Sequence, residues 1–141
     1  ASGGIVGLVE GHECRVDAGK NRLYIRLRGF FREDEVEPLV RRLREVLDTV
    51  RPGFDVITDV SEYKPASPAA ADAIRRGGEM VKVHGRRHAV RVVGGFVAGL
   101  LQFKRLLGGV FSEKDVRYAR SVPEAERILD SWPADRTPPT V

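Results

Sequence analysis

The sequence predicts a single α/β domain: a mixed, largely parallel sheet with an opening β-hairpin and about four helices. Two observations lead to this fold class. Segments of alternating polarity stand at the start of the chain, and segments of helical and strand periodicity alternate after them. With 141 residues, 42% hydrophobic and 31% charged, the chain is long enough to bury a self-sufficient core.

The opening of the chain predicts antiparallel strands. The segment "ECRVDAGKNRLYIRLRG" places two alternating stretches around "AGKN", a glycine-containing turn suited to a hairpin. In the second stretch one face carries Leu23, Ile25 and Leu27, and the other carries Arg22, Tyr24, Arg26 and Arg28. The earlier segment "IVGLVE" is expected to be an edge strand.

Four segments have helical features. Apolar residues recur at helical spacing from Glu33 to about Val50. The second helix, "SPAAADAIRRGGEMVKVHG", has Ser67 as N-cap and Pro68 at its first position. The third is "FVAGLLQFKRLLGG", and the fourth is "VPEAERILD", capped by Ser121. The segments "FDVITDV", "HAVRVVGG" and "DVRYARS" between them are predicted strands.

The composition of the chain argues against a disulfide-linked, secreted or membrane-spanning protein. The single cysteine, Cys14, excludes an intramolecular disulfide and a cysteine-based metal site, and it fits a reducing cytoplasm. No apolar run approaches the roughly 20 residues that span a bilayer, and no signal peptide is visible. We therefore expect a cytoplasmic protein without a transmembrane segment. Its single domain covers residues 1–131, and residues 132–141 form a proline-rich tail.

The segment from Asp59 to Ser67, "DVSEYKPAS", is the candidate site. We expect it to be a loop at the carboxyl end of a buried strand, where open α/β sheets place ligand sites. Ser67 begins a helix, so a phosphate on or near its hydroxyl would meet unpaired N–H groups, and Lys64 would add a charged contact. A plain N-cap explains Ser67 equally well.

Other residues of this segment have two interpretations each. Asp59 and Ser61 follow the strand, and Asp59 either accepts hydrogen bonds from a ligand or forms an Asx-type turn with loop N–H groups. Tyr63 either offers an aromatic face to a partner or is an ordinary half-buried loop tyrosine. The exposed helix face that would extend this surface carries Asp72, Arg75 and Arg76.

The sequence predicts no catalytic, metal or cofactor site. "GGFVAGL" lacks the G-x-G-x-x-G spacing of a dinucleotide fingerprint. His84 and His88 cannot form a helical metal pair because Gly85 should end the helix between them. The basic cluster "RRLR" lies among acids on the polar face of the first predicted helix and is interpreted as a solvated face. The cluster "KVHGRRH" lacks interleaved aromatic residues and any recognised motif, which argues against a nucleic-acid partner.

With this order of elements, the chain resembles the SpoIIAA-type STAS domain of bacterial anti-sigma factor antagonists. Asp59-Val60-Ser61 matches the family's "D-L-S" type turn, and five residues separate it from the next helix start. The stretch "D-x-S-x-Y/F-K-P-A-S" resembles an uncharacterised bacterial SpoIIAA-like group more closely. The segments "VRVVG", "QFKRL" and "DVRYARSVPEAERIL" fit the same group, so the resemblance covers about residues 13 to 131.

One departure from the family concerns phosphorylation. In the antagonists an Asp-Ser pair begins the helix and its serine is the phosphoacceptor. This chain has Ser67-Pro68 there, so a proline, which cannot accept phosphate, occupies the serine's position. Ser67 or Ser61 would have to stand in for it.

Two function hypotheses follow. The resemblance implies a non-enzymatic regulatory module that binds another protein, such as a kinase-type anti-sigma factor, under control of serine phosphorylation. Phe96, Leu100 and Phe103 would support a homo-oligomer or pack in the core. The alternative is a carrier or sensor of a small apolar or lipid-like ligand. The same α/β plan resembles Sec14-type lipid-binding proteins, and "GGFVAGLLQF" could line or gate a cavity.

Overall fold

Strands that follow one another in the chain are neighbours in the sheet. The computed structural model describes residues 6–9, 12–30, 32–64, 67–94, 97–108 and 115–132. In this part of the chain the strands are β1 (Val6–Val9), β2 (His12–Asp17), β3 (Arg22–Phe30), β4 (Asp55–Lys64), β5 (Ala89–Val92) and β6 (Val116–Ala119). The helices are α1 (Glu33–Leu47), α2 (Pro68–Val83), α3 (Val97–Leu107) and α4 (Val122–Ser131).

The sheet is mixed, and its spatial order is β1-β2-β3-β4-β5-β6. β1, β2 and β3 pair antiparallel, whereas the pairings β3–β4, β4–β5 and β5–β6 are parallel. This confirms the predicted α/β class, the opening hairpin and the four helices.

The turn between β2 and β3 forms as the sequence predicts. The backbone N–H of Lys20 donates to Oδ1 of Asp17 over 3.1 Å, and Asn21 donates to the carbonyl of Ala18 over 3.3 Å. Asn21 has a φ of 52°, a left-handed conformation that asparagine tolerates better than most residues. The hairpin thus places β3 beside β2, and the parallel pairing across α1 places β4 on its other side.

The helices divide unequally between the two faces of the sheet. Crossovers between parallel strands are right-handed, so a strand order that advances in one direction puts α1, α2 and α3 on one face. These three helices bury the larger core, which includes Leu43, Val81 and Phe103. Of the helices that the structure describes, α4 alone packs on the other face, with Ala125 and Leu129 against residues of β3 to β6.

β4 is longer than the sequence predicts. It continues to Lys64, so most of the segment expected to be a loop is strand. Arg26 of β3 lies opposite Asp59 and Arg28 lies opposite Glu62, which leaves one extra residue in β4, a β-bulge. Because of this extra residue, Val60 and Tyr63, three positions apart, both enter the core under the helices.

Two further expectations concern the ends and the membrane. Of the proline-rich tail, residues 133–141 lie outside the described residues. Within the part of the chain that the structure describes, no helix combines the length and the apolar character needed to cross a membrane.

Candidate functional site

Ser67 is the N-cap of α2. Its Oγ accepts a hydrogen bond from the N–H of Ala70 over 3.3 Å, and Pro68 occupies the first turn. This contact satisfies one of the N–H groups that a helix start leaves unpaired, and such caps contribute about 0.5–2 kcal/mol. The side chain is half-buried, so the hydroxyl is a structural cap at the edge of the surface.

The exposed face of α2 carries a chain of ion pairs, which we call the α2 patch: Asp72, Arg75 and Arg76. Asp72 accepts from Arg75 over 2.6 Å and lies 3.2 Å from the Nε of Arg76. The hydrogen bond from Arg75 is the main cause that holds the pKa of Asp72 below its usual value. These side chains are exposed to solvent, so they contribute little to stability and are open to a partner.

Lys64 ends β4 at the carboxyl edge of the sheet. Its Nζ lies 5.3 Å from the ring centroid of Phe30, the residue opposite it on β3. Phe30 is 64% exposed, which is unusual for a phenylalanine in a strand. This edge therefore presents an amino group and an aromatic ring together.

Asp59 and Ser61 lie on the other face of the sheet from the α2 patch. Oδ1 of Asp59 accepts from both the N–H and the Oγ of Ser61, over 3.0 Å and 2.6 Å. Asp59 thus forms the Asx-type turn that was one of its two interpretations. It lines a polar cleft with Val122 of α4, so the structure does not join Asp59 and Ser61 to the α2 patch in one surface.

Tyr63 is fully buried, which corrects the expectation of an aromatic face for a partner. Its hydroxyl donates to Oε1 of Gln102 over 2.6 Å, and its ring meets Phe103 edge-on at 5.9 Å. Phe103 is only 3% exposed and Leu100 is packed against the same core, so core packing accounts for both. Phe96 lies outside the described residues.

The polar cleft beside α4 has a volume of about 330 Å³. Its charged lining consists of Glu13, Arg15, Arg26 and Asp59. Glu13 pairs with Arg15 at 3.1 Å and with Arg26 at 3.3 Å. Since opposite charges already neutralise each other there, the cleft favours neither an anion nor a cation.

An apolar cavity of about 80 Å³ lies between the sheet and α1, α2 and α3; we call it the α2 cavity. It is partly open to the surface, and its described lining is Cys14, Ile25, Leu27, Leu39, Val40, Leu43, Val56, Thr58, Ala73, Ile74, Gly77, Gly78, Val81, Phe103 and Leu107. At ~24 cal/mol per Å³, an empty cavity of about 80 Å³ costs about 2 kcal/mol of stability.

Two glycines in the middle of α2 border this cavity. Each of Gly77 and Gly78 costs the helix about 1 kcal/mol relative to alanine. A Cβ built on Gly77 would lie 3.4 Å from Cδ2 of Leu43, an ordinary contact distance. Neither a close approach nor a left-handed φ therefore requires glycine at position 77.

Cys14 contributes a thiol to the wall of the cavity. Burial raises its pKa to about 12, so the thiol stays neutral at physiological pH. A neutral, buried thiol is a packing group and not a nucleophile. Within the described residues, no three His, Cys, Asp or Glu side chains come together in a group that could hold a metal ion.

The basic cluster at the end of α2 has a structural role that the sequence did not reveal. Arg87 donates to both carboxylate oxygens of the buried Asp55, over 3.2 Å and 3.0 Å. The His88 N–H also donates to Asp55, and the His88 ring stacks on Trp132 at 4.0 Å. Burial is the main cause that lowers the pKa of His88.

A second unpredicted network fixes α4 to β3. Glu126 accepts from the Tyr24 hydroxyl over 2.6 Å and from Arg22 over 2.7 Å, and Arg22 also reaches Asp130. Burial, and then the bond to Glu126, raise the pKa of Tyr24. The partners are about a hundred residues apart in the chain, so no local sequence pattern could have paired them.

A third buried pair lies at the start of α1. His12 is completely buried, and its Nε2 lies 3.1 Å from Oε2 of Glu35. Nδ1 of His12 accepts from the Arg28 N–H over 3.1 Å, which requires that nitrogen to be unprotonated. Oε1 of Glu35 accepts from the N–H of Arg32, so the pair also caps α1.

The solved structures with a similar fold include two that match most of this chain. One is an uncharacterized protein of the DUF3478 family from Shewanella loihica PV-4, with a SpoIIAA-like fold; the TM-score is 0.58 at 13% identity, over 89% of this chain and 91% of that one. The other is the anti-sigma factor antagonist SpoIIAA in its unphosphorylated form, with a TM-score of 0.52 at 13% identity, over 91% and 98%. No family model matches the sequence, and no curated protein does.

The chain is thus an α/β protein with a SpoIIAA-like fold, as the resemblance at Asp59 to Ser67 implied. At 13% identity the likeness extends to the fold alone.

Proposed function

We propose that the protein is a non-enzymatic, cytoplasmic regulatory module that acts by binding another protein through the α2 patch. The observation that carries the proposal is the division of α2 into two faces. One face is packed in the core, and the other holds Asp72, Arg75 and Arg76 exposed in a row of ion pairs. The shared fold with the antagonist SpoIIAA supports the same class of function.

The partner we propose has a surface of mixed charge. Arg75 and Arg76 both reach Asp72, and Arg75 also reaches Glu79, so a partner that pairs with the arginines must compete with these contacts. Exposed ion pairs contribute about 0–1 kcal/mol each, so exchanging them for contacts with a partner costs little. A kinase-type anti-sigma factor is the partner that the resemblance implies.

Serine phosphorylation is part of the proposal at Ser67. A phosphate on its Oγ would lie at the amino end of α2, next to the N–H of Ala70. This N–H already donates a hydrogen bond to the Ser67 hydroxyl. Lys64 ends the neighbouring strand. Ser61 is the weaker candidate, because its Oγ donates to Asp59 and a phosphate there would face that carboxylate.

The experiment is capture of partners from a lysate of the source organism, with mass spectrometry and quantitative comparison of variants. Arg75→Glu combined with Arg76→Glu should abolish retention of a partner that the wild type holds. Ser67→Glu should change retention if the cap controls binding. Arg127→Glu, on the exposed side of α4, is the matched control. Equal retention by the wild type and the α2 variant would refute the α2 patch as the binding surface.

A second candidate function is a carrier or sensor of a small apolar ligand, and the α2 cavity favours it. The predicted segment "GGFVAGLLQF" contributes Phe103 to the described lining. At about 80 Å³ the cavity is too small for a whole lipid, so it would hold a small apolar ligand or the end of a lipid-like one. Native mass spectrometry of freshly purified protein would reveal a bound mass that disappears on denaturation.

A further inference from the structure

We propose that the α2 cavity binds the tip of an unbranched aliphatic chain and that Gly77 keeps the site open. The proposal deepens the second candidate function, the carrier or sensor, and rests on it. The cavity offers a bounded volume, a lining of uniform chemistry and a residue whose identity packing does not explain.

The lining determines the chemical class of the ligand. None of its fifteen described residues is charged, and the polar atoms among their side chains are the Thr58 hydroxyl and the neutral Cys14 thiol. An apolar wall of this kind does not compensate the desolvation of a charged or strongly polar group. The part of the ligand inside the cavity is therefore hydrocarbon, and any polar head group remains outside.

The volume of the α2 cavity limits the size and shape of the ligand. A cavity of roughly 150 Å³ lined by Leu, Ile and Phe accommodates benzene. The α2 cavity, at about 80 Å³, is about half as large, so an aromatic ring does not fit without rearrangement. It is partly open, so a chain can enter by its end while the remainder stays at the surface.

Gly77 supports the ligand site independently of the lining and the volume of the cavity. It lies in the middle of a helix, is buried, and has ordinary contact space for a methyl group 3.4 Å from Cδ2 of Leu43. Alanine at this position would strengthen the helix and improve the packing. What glycine provides at position 77 is the open volume itself.

The probes are butanol, hexanol and cyclohexanol, added to purified protein and followed by methyl-resolved NMR. Lining methyl groups of Leu39, Leu43 and Val81 should shift and saturate with hexanol, whereas Val90 and Val92, which pack against the α4 side, should not. Decanoate is the second arm. If it binds more tightly than hexanol, the natural source is a lipid or fatty-acid tail; if hexanol binds more tightly, it is a small free molecule.

The variant Gly77→Ala should weaken hexanol binding at least about tenfold while the thermal midpoint stays the same or rises. Val83→Ala is the matched control, because it strengthens the same helix at a position that is 82% exposed. Val40→Ala, which enlarges the cavity at a partly buried position, should bind hexanol more tightly.

Three results would overturn the proposal: absence of saturable shifts at the lining methyl groups, cyclohexanol binding as tightly as hexanol, or unchanged affinity in Gly77→Ala. The NMR titration contains no partner protein, so its result does not depend on whether a partner binds the α2 patch. A negative result here with a positive capture would leave the regulatory module and remove the ligand site.

Discussion

Gly94 shows how one residue can fix the shape of the region around Ser61. The connection after β5 passes so close to β4 that a Cβ on Gly94 would lie 2.6 Å from the carbonyl oxygen of Ser61. That distance is too short for any side chain, and the obstacle is backbone. The segment "GGFVAGL" after β5 faintly suggests a dinucleotide fingerprint. Its first glycine, Gly94, is explained by this close packing against β4.

Gly94→Ala should destabilise the protein by about 1–3 kcal/mol, the usual cost of forcing extra volume into a packed region. Urea denaturation followed by circular dichroism would measure it. The control is Gly19→Ala in the β2–β3 turn, where the nearest atom lies at 3.4 Å and φ is not left-handed. If the two variants are equally stable, the close approach at Ser61 does not exist in solution.

Local chemistry made some site residues predictable and others not. The cap at Ser67 depends on neighbours three residues away, so sequence alone could identify it. The burial of Tyr63 depends on the bulge in β4 and on Gln102 and Phe103, which are about forty residues away. A Tyr between a glutamate and a lysine carries no local signal of these contacts.

Among the elements, α4 is held to the sheet by a network of charged and polar side chains in addition to its apolar packing. Burial disfavours the charged form of Glu126, but hydrogen bonds from Tyr24 and Arg22 outweigh it, and the pKa of Glu126 lies below its ordinary value of 4.5. A carboxyl group with a lowered folded pKa stabilises the fold above its unfolded pKa. That stabilisation is lost as the pH falls through the folded value.

Glu126→Gln should therefore cost about 2 kcal/mol at neutral pH, since it replaces a charged acceptor by a neutral one beside the buried Arg22. The difference in unfolding free energy between wild type and variant should shrink below pH 4.5, as the wild-type carboxyl group becomes protonated. Denaturation curves at several pH values would show this. A difference independent of pH would mean that the charge of Glu126 is irrelevant.

Element existence was more predictable than element length. The helical period of α1 and the caps of α2 and α4 are encoded within a few residues, and all three helices form where predicted. β4 extends beyond its apolar run because Glu62 pairs with Arg28 of β3 at 2.7 Å and Tyr63 is buried. Polar residues such as Glu62 predict a loop from the sequence alone, and only the pairing with the neighbouring strand shows that they belong to β4.

At the scale of the whole molecule, the two faces of the sheet are unequally protected. In the described part of the chain, three helices cover one face, and α4 alone covers part of the other. We expect α4 to open independently of the rest, with amide hydrogen exchange about tenfold or more faster than in β4 and β5.

Mass-spectrometric hydrogen exchange would measure the difference between α4 and the strands. Trp132, the single tryptophan of the chain, stacks on His88 next to the end of α4, so its fluorescence should report the same opening at low denaturant. Coincident exchange of α4 and the central strands would show that the domain opens only as a whole.

The fold class was predictable because periodicity and order of elements determine it, whereas the α2 cavity was not. Its lining comes from three strands and three helices, so it exists only after the layers have assembled. Gly77 and Gly78 were visible in the sequence as helix-weakening residues, but only the assembled structure shows that both border the cavity.

The order of the sheet has a consequence for how the chain acquires its structure. Each strand pairs with its predecessor in sequence, from β1 to β6, so each parallel pairing waits only for one intervening helix, as where Arg22 lies opposite Asp55. A shorter sequence separation between contacting residues lowers the entropic cost of closing the loop between them, and this speeds folding. The sheet can therefore grow strand by strand outward from the β2–β3 hairpin, and we expect refolding to be faster than in α/β proteins of similar size whose strand order departs from the chain order.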